Sequence, residues 1–414
     1  MRILTLTSKF PWPLTDGAVI RDFNLLREAA RHHEVSLLCF LTRPEDRDNF
    51  SALRPYCRDI RGLDLVRTRG RAVGNAVRSL VTSRPFITEE YRRPAMAQAI
   101  EQFVTEKGID LIHSHFLHMS QYVPHKRSAA FVHDAHNLEH VLWRRMAKIV
   151  RNPLKAAFAA GQCGKLLRLQ RRVALASEGC VTLSDEDRTE YLRICPEATV
   201  TTVPNGADLE YWTPSGRPPE PASILYFGNL SWPPQADAAV YFHDQILPRI
   251  WAERPEARFY VVGQKPPDAV RRLAGDRVTV TGYVDDIRPY LERATVVVLP
   301  LRVGAGTKHR VFQSLAMNRP VVCTPVAAEG IALTHGQTAL IAAEPEDFAR
   351  ATLSLLRDEQ LRRRVGEQGR ALVLEHYDWR QIYQRLEAVF QDAVTRRRST
   401  PGRVVGRDLV RNEL

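Results

Sequence analysis

At 414 residues the chain is too long for one ordinary hydrophobic core, and two domains are the natural count. Its formal charge of +12 lies mainly in the first 200 residues, which suits an anionic membrane surface or a phosphorylated partner; no nucleic-acid module signature accompanies it, which sets nucleic acid aside. No Cys-x-x-Cys spacing relates the six cysteines, no run of about eighteen apolar residues could cross a bilayer, and Met1 leads straight into a strand, so reduced core cysteines in a cytoplasmic chain without a leader are expected, with membrane contact at most peripheral.

The first half opens as strand, helix, strand, with apolar residues at 2–7, helical spacing over 18–30 and a second apolar run at 34–40. The loop between the first two places Asp16 and Gly17 ahead of the helix and Arg21 just inside it. It reads as a plain turn with an N-cap or as part of a site, and its place at the carboxyl end of a first strand favours the site. Residues 61–93 interleave arginines with apolar residues and predict an amphipathic surface helix. Residues 110–118 read as a strand ending in histidines. Strand geometry puts His113 and His115 on one side without an obvious carboxylate partner, so no metal centre is expected and a packed core histidine is the plain alternative. The next strand, 129–134, runs into Asp134-Ala-His136-Asn137-Leu-Glu139-His140, a crowd of polar groups at a strand's carboxyl end that marks a crevice in a parallel sheet. Glu139 equally suits the first turn of a helix. From 140 to 177 there is no acidic residue, and nine Lys and Arg lie among apolar ones. This region suits either anionic lipid or a solvated helix pair. Strands at 178–184 and 199–203 follow, then Pro-Asn-Gly-Ala-Asp at 204–208 and a Pro-rich passage at 213–221 that fits a linker.

The second half repeats the alternation. A strand at 223–227 ends at Gly228 and Asn229, a helix spans 235–251, a strand at 257–262 ends at Gly263, and one at 278–284 carries Gly282, Tyr283 and Val284 near its end. An apolar strand at 295–300 then leads through Gly304 and Gly306 into a helix over 307–317 and a further strand at 320–323. Glycines let backbone N–H groups approach a ligand, and a helix N-terminus beside Lys308 and Arg310 suits a phosphate.

Residues 303–325 resemble the donor-site signature of family 4 retaining glycosyltransferases of the GT-B fold, matching it at Gly306, Thr307, Lys308, Arg310, Ala316, Met317, Pro320, Val321 and Val322. The runs at 134–139 and 204–208 are similar to runs in the same group. Three departures stand out. Ala305 and Gln313 occupy places where the family usually has glutamates, and Asn229-Leu-Ser-Trp-Pro-Pro replaces the Arg and Lys that many members carry after this domain's first strand.

The resemblance implies an α/β chain of two Rossmann-like domains facing each other across a cleft. Residues 1–205 would bind the acceptor, 206–222 link, 223–375 bind the nucleotide sugar, 376–395 form a helix crossing back to the first domain, and 396–414 form a basic, disordered tail. The implied activity is metal-independent, retaining transfer of a sugar from a nucleoside-diphosphate sugar, a co-substrate rather than a bound cofactor, to a hydroxyl acceptor that is lipid-linked or small. The setting it implies is bacterial surface polysaccharide or glycolipid assembly at the inner face of the membrane. His115, Lys308 and Arg310 carry the catalytic roles in this reading. Gly228, Asn229, Gly263, Tyr283, Val284, Gly304, Gly306, Thr307 and Gln313 join the two cations on the donor side, and Asp16, Gly17, Arg21, His136, Asn137 and Glu139 stand on the acceptor side. The rival readings are a natural-product transferase, a nucleotide-sugar 2-epimerase and a non-catalytic nucleotide-sugar-binding subunit.

Overall fold

The protein is described by a computed structural model at residues 1–124, 127–150, 152–304 and 306–399. Ala305 and the tail from residue 400 lie outside the described residues. The chain divides into two compact units, one of Met1–Pro204 with Tyr383–Leu414 and one of Asn205–Ile382.

The first unit is built on seven strands: β1 (Arg2–Thr7), β2 (Glu34–Leu41), β3 (Asp59–Asp64), β4 (Leu111–His115), β5 (Ala130–Ala135), β6 (Gly179–Thr182) and β7 (Val200–Thr202). They lie in the order β3-β2-β1-β4-β5-β6-β7, and every neighbouring pair is parallel. A parallel sheet is covered by helices on both faces, so its strands are apolar along their length rather than alternating. Ile3, Leu4 and Leu6 of β1 and Leu37, Leu38, Cys39 and Phe40 of β2 are all fully buried. Each such leucine or isoleucine contributes roughly 1.5–3 kcal/mol. The chain winds outward in both directions from β1 and β4, which makes the gap between their carboxyl ends the switch point where open α/β sheets form a crevice.

Two stretches differ from expectation. Arg61 to Asp64 lie in β3 rather than in a helix, because this is the open edge of the sheet, where charged side chains are tolerated and discourage further pairing; the helix starts later, at Arg69–Val81. The last helix, Trp379–Ser399, runs through the basic residues expected to begin a disordered tail. Arg397 donates to the Arg127 carbonyl and faces Glu178 at 3.5 Å, and Arg396 faces Asp392 at 3.5 Å. Cations at a helix C-terminus also suit its dipole.

The second unit has six strands: β8 (Ser223–Phe227), β9 (Arg258–Val262), β10 (Val278–Gly282), β11 (Val296–Leu299), β12 (Val321–Cys323) and β13 (Leu340–Ile341), in the order β10-β9-β8-β11-β12-β13, again parallel throughout. The expected single helix over 235–251 is split into Pro233–Tyr241, a π turn at Phe242–Ile246 and Leu247–Glu253. Pro248 has no N–H to continue the ladder, and the wider turn absorbs the missing bond. All six cysteines are free, and burial pushes the Cys57 and Cys323 thiols up to about 12. Among the described residues no helix is long and apolar enough to cross a membrane.

Candidate functional site

In the second unit the strand order turns between β8 and β11. The helix His309–Ala316 starts here, after the glycine loop that follows β11, and Lys308 occupies its N-cap position. No side chain caps it, and its first turn carries the positive end of the helix dipole. Gly306 has φ +67°, a conformation that a side chain would strain. Lys308 is buried, and its ammonium donates to the Gly306 carbonyl. Asn205 donates to the Thr307 hydroxyl at 2.7 Å, fixing the loop from the turn at the start of this unit.

Arg310 reaches across to the end of β8. Its guanidinium donates to the Gln235 side-chain oxygen and to the Phe227 carbonyl at 3.3 Å, and it stands 6.0 Å from the Tyr226 ring centre. Burial lowers its pKa, but an arginine stays charged. A Cβ on Gly228 would strike this guanidinium, and one on Gly263 would strike the Gly228 carbonyl. Glycines at both positions are therefore what allows β8, β9 and Arg310 to close up. Gln313 lies one turn beyond Arg310, half-buried and on the same side of the helix. Tyr283 is 69% exposed beyond β10, next to half-buried Val284. Asn229 is committed locally, its Oδ1 accepting from the Ser231 N–H and hydroxyl at 3.2 and 2.7 Å.

The first unit uses its own switch point differently. Asp16 caps the helix Gly17–Ala29 by accepting from the Val19 N–H at 3.1 Å and pairs with Lys9 at 3.0 Å. Arg21, expected on the acceptor side, is wholly buried: Nε and Nη2 donate to Asp134 Oδ2 at 3.2 and 2.8 Å, and Nη1 to the Pro204 carbonyl at 3.0 Å. Three histidines complete the cluster. His115 Nε2 is 3.1 Å from His113 Nδ1, His115 Nδ1 is 2.9 Å from His136 Nε2 and 2.7 Å from Asp22 Oδ1, and His113 Nε2 is 3.6 Å from Asp134. The expectation that His113 and His115 lack a carboxylate partner is thus corrected, since Asp22 and Asp134 supply two from another helix and another strand. Asp22, His115 and His136 form one group that could hold a cation, and His113, His115 and Asp134 another.

Burial alone would raise both carboxyls. The neighbouring histidines outweigh it at Asp22, and Arg21 followed by His113 at Asp134, holding both below the usual range. Burial, and then the charge of His115, depress His113 to about 3. His115 itself is fully enclosed, with both ring nitrogens engaged. Glu139 opens the helix Glu139–Ile149 and is buried, which pushes its carboxyl up to about 7; Asn137 is half-buried beside it.

Sequence reasoning gave no role to Asp22, Asn205 or Gln235. Asp22 and Arg21 read as charged residues of an ordinary helix face, and only the burial of Arg21, Asp22, Asn24 and Glu28 along one helix sets them apart. For Asn205 a signal existed in the Pro-Asn-Gly-Ala-Asp turn.

The profile described as Glycosyltransferase Family 4 matches residues 15–211, and that described as Glycosyl transferases group 1 matches residues 221–358. The chain belongs to the group 1, family 4 glycosyltransferases. Among solved structures it is similar to sucrose-phosphate synthase from Thermosynechococcus elongatus, at 18% identity and a TM-score of 0.72 over 96% of this chain and 100% of that one. Anabaena Alr3699/HepE in complex with UDP-glucose gives 14% identity and a TM-score of 0.64, over 94% and 99% of the two chains. Staphylococcus aureus TarM, as a mutant in complex with Fondaparinux, alpha-GlcNAc-glycerol and UDP, gives 10% and 0.66, over 94% and 99%. At these identities the likeness speaks to the fold, which is GT-B with its two Rossmann-like units. An uncharacterized 44.6 kDa protein in the cps region of Klebsiella pneumoniae is 19% identical over 170 residues, 39% of this chain and 44% of that relative's length.

Proposed function

We propose that the protein transfers a sugar from a nucleoside-diphosphate sugar to a hydroxyl acceptor, with retention and without a divalent ion at the diphosphate. The observation that carries this reading is the uncapped N-terminus of the helix His309–Ala316, with Lys308 at its cap position and Arg310 directed to the glycine at the end of β8. Departure of the nucleoside diphosphate builds negative charge on phosphate oxygens. Two cations beside the positive end of a helix dipole would stabilise that charge more as it grows than in the ground state. Retention follows in this reading from attack on the leaving group's own face, which needs no protein nucleophile. The GT-B structures solved with UDP-glucose or UDP, in Anabaena Alr3699/HepE and TarM, support a uridine nucleotide as the first donor to try. The relative in a cps region is in keeping with a setting in surface polysaccharide assembly, and the reading extends to a lipid-linked acceptor and a peripheral place on the inner face of the membrane. Gln313 in place of a glutamate favours a second reading, a subunit that binds the nucleotide sugar without turning it over, because a neutral amide holds a ribose diol less firmly than a carboxylate.

Calorimetric titration with UDP, GDP, ADP, CDP and dTDP, first without and then with divalent metal, tests the proposal on wild type and Lys308→Ala. One diphosphate binding tightly without metal and losing affinity in the variant is the expected result. Binding of none, or binding unchanged in the variant, overturns the phosphate assignment. Donor hydrolysis or transfer by the same preparation separates the transferase from the binding subunit.

A further inference from the structure

The first unit contains a cavity of about 390 Å³ whose lining includes none of the strand-end residues described above. Six cations, Arg84, Arg92, Arg93, Lys165, Arg168 and Arg172, line it, and no carboxylate does so among the described residues. Apolar ground lies between them, Phe131 and Val173 included. Glu89, just outside, faces Arg78, Arg84 and Arg92 at 3.6, 3.7 and 3.9 Å. Arg93 Nη2 is buried and makes no hydrogen bond, although Nη1 donates to the Arg92 carbonyl at 2.7 Å. Arg168 is exposed on the helix Pro153–Ala176. Like charges crowd here at a cost: Arg93 has its pKa lowered by burial and then by Arg71 nearby. Such an arrangement is relieved by an anion with several acceptor oxygens.

Contiguous with this cavity, the helix Arg69–Val81 is turned inside out. Its inward row consists of Ala72, Asn75, Ala76 and Ser79, while Val73, Val77, Leu80 and Val81 are 64%, 56%, 66% and 80% exposed. Val73, Val77 and Leu80 fall at i, i+4 and i+7, a single stripe, and Arg71 and Arg78 are exposed farther round the same helix. An amphipathic helix in a folded unit normally buries its large apolar residues, so this face is matched to an apolar layer outside the protein. The helix is firmly seated on its small side. Ser79 is bonded to Gln162 at 3.1 Å, and Lys165, itself a wall of the cavity, donates to the Ser79 carbonyl and to the Thr82 carbonyl at 2.6 Å. Residues 65–88 contain no acid at all.

We infer that this face is a docking surface for anionic phospholipid, in which the basic cavity takes a phosphate headgroup and the Val73–Val77–Leu80 stripe enters the acyl boundary. It deepens the membrane-facing part of the function proposed above and rests on that reading there alone. Diphosphate binding by the same preparation is read separately, so a failure of one is not a failure of the other.

The test is co-sedimentation of the full chain with vesicles of phosphatidylcholine alone and of equimolar phosphatidylcholine and phosphatidylglycerol. The expected result is binding to the mixed vesicles at least about tenfold tighter than to the neutral ones, falling as salt is raised. Val77→Ser with Leu80→Ser, both on the exposed stripe, should weaken vesicle binding by about tenfold or more at unchanged thermal stability. Arg84→Glu with Arg168→Glu should remove the preference for the anionic vesicles. Equal binding to both vesicle types, or stripe variants that bind as wild type, overturns the inference. Tight binding of inorganic phosphate, lost in the arginine variants, with no vesicle binding would make the cavity a site for a free anion and overturn it equally.

Discussion

Both sheets turn at corresponding places, between β1 and β4 and between β8 and β11, and a helix N-terminus follows the first strand of one turn and the second strand of the other. In the first unit that N-terminus is already occupied by the Asp16 carboxylate, and behind it the helix carries Arg21 and Asp22 into a closed cluster of three histidines and Asp134. In the second unit the N-terminus has no cap, the charges are two cations beside glycines, and Arg310 pairs with an amide rather than an acid. One crevice has its charges neutralised from within. The other places two cations at a helix N-terminus that no side chain caps. An anion is expected only at the second, and the contrast can be broken or sharpened variant by variant.

The largest effect is expected where the first unit's charges are closed. Arg21→Met leaves Asp134 ionised and buried, and a broken buried pair costs about 3–5 kcal/mol. Urea unfolding at pH 7 measures it, and adding Asp134→Leu should recover most of the loss. A single variant as stable as wild type would mean that the pair is not closed as described.

Glu139 comes next, and its sign is specific. Burial lifts its folded pKa to about 7, above the ordinary 4.5 of a glutamate, so between those values the native state holds a proton that the unfolded chain has released. Stability therefore falls as pH rises from about 4.5 to 7 and is level beyond, a loss on the order of 3 kcal/mol. Glu139→Gln should remove that slope and make the protein more stable than wild type at pH 8, with little difference at pH 4.5. Parallel urea curves at the two values decide it.

Lys308→Ala should act on the ligand. Losing one charge-assisted contact of about 1.5–3 kcal/mol weakens diphosphate binding by about 10- to 150-fold, which calorimetric titration of wild type and variant measures. Smallest is Asp16→Ala, which removes a cap and should cost about 1 kcal/mol in urea unfolding without changing diphosphate affinity. A large loss of diphosphate affinity in this variant would dissolve the contrast between the two crevices.

The parts that could be read in the sequence are those with local causes. Apolar runs such as 295–300 announced buried parallel strands, and Gly304, Gly306, Lys308 and Arg310 announced a loop and helix start of a recognisable kind. The first unit's cluster could not be read in the same way, because its energetics depend on partners far apart in the chain. Arg21 meets Asp134 across 113 positions, and nothing near either residue in sequence distinguishes a buried arginine from a solvated one. His115 was singled out correctly as a strand-end group, yet its enclosure depends on Asp22 and His136 from other elements. The outward face of Arg69–Val81 was equally hidden, since an amphipathic pattern does not say which side is inward.

The helix Trp379–Ser399 has a bearing on biosynthesis. Its residues from Tyr383 belong to the first unit, where Glu387 meets His33 at 2.6 Å, the Phe390 ring lies 5.0 Å from that of His113, and Ala393 is fully buried. A ribosome makes the bulk of that unit first, yet it must deliver the entire second unit before these closing residues emerge. The earlier-made half thus waits, with one side of its interior uncovered, while the later-made half can fold without interruption. A chaperone that shields nascent chains would find its main client in residues 1–204.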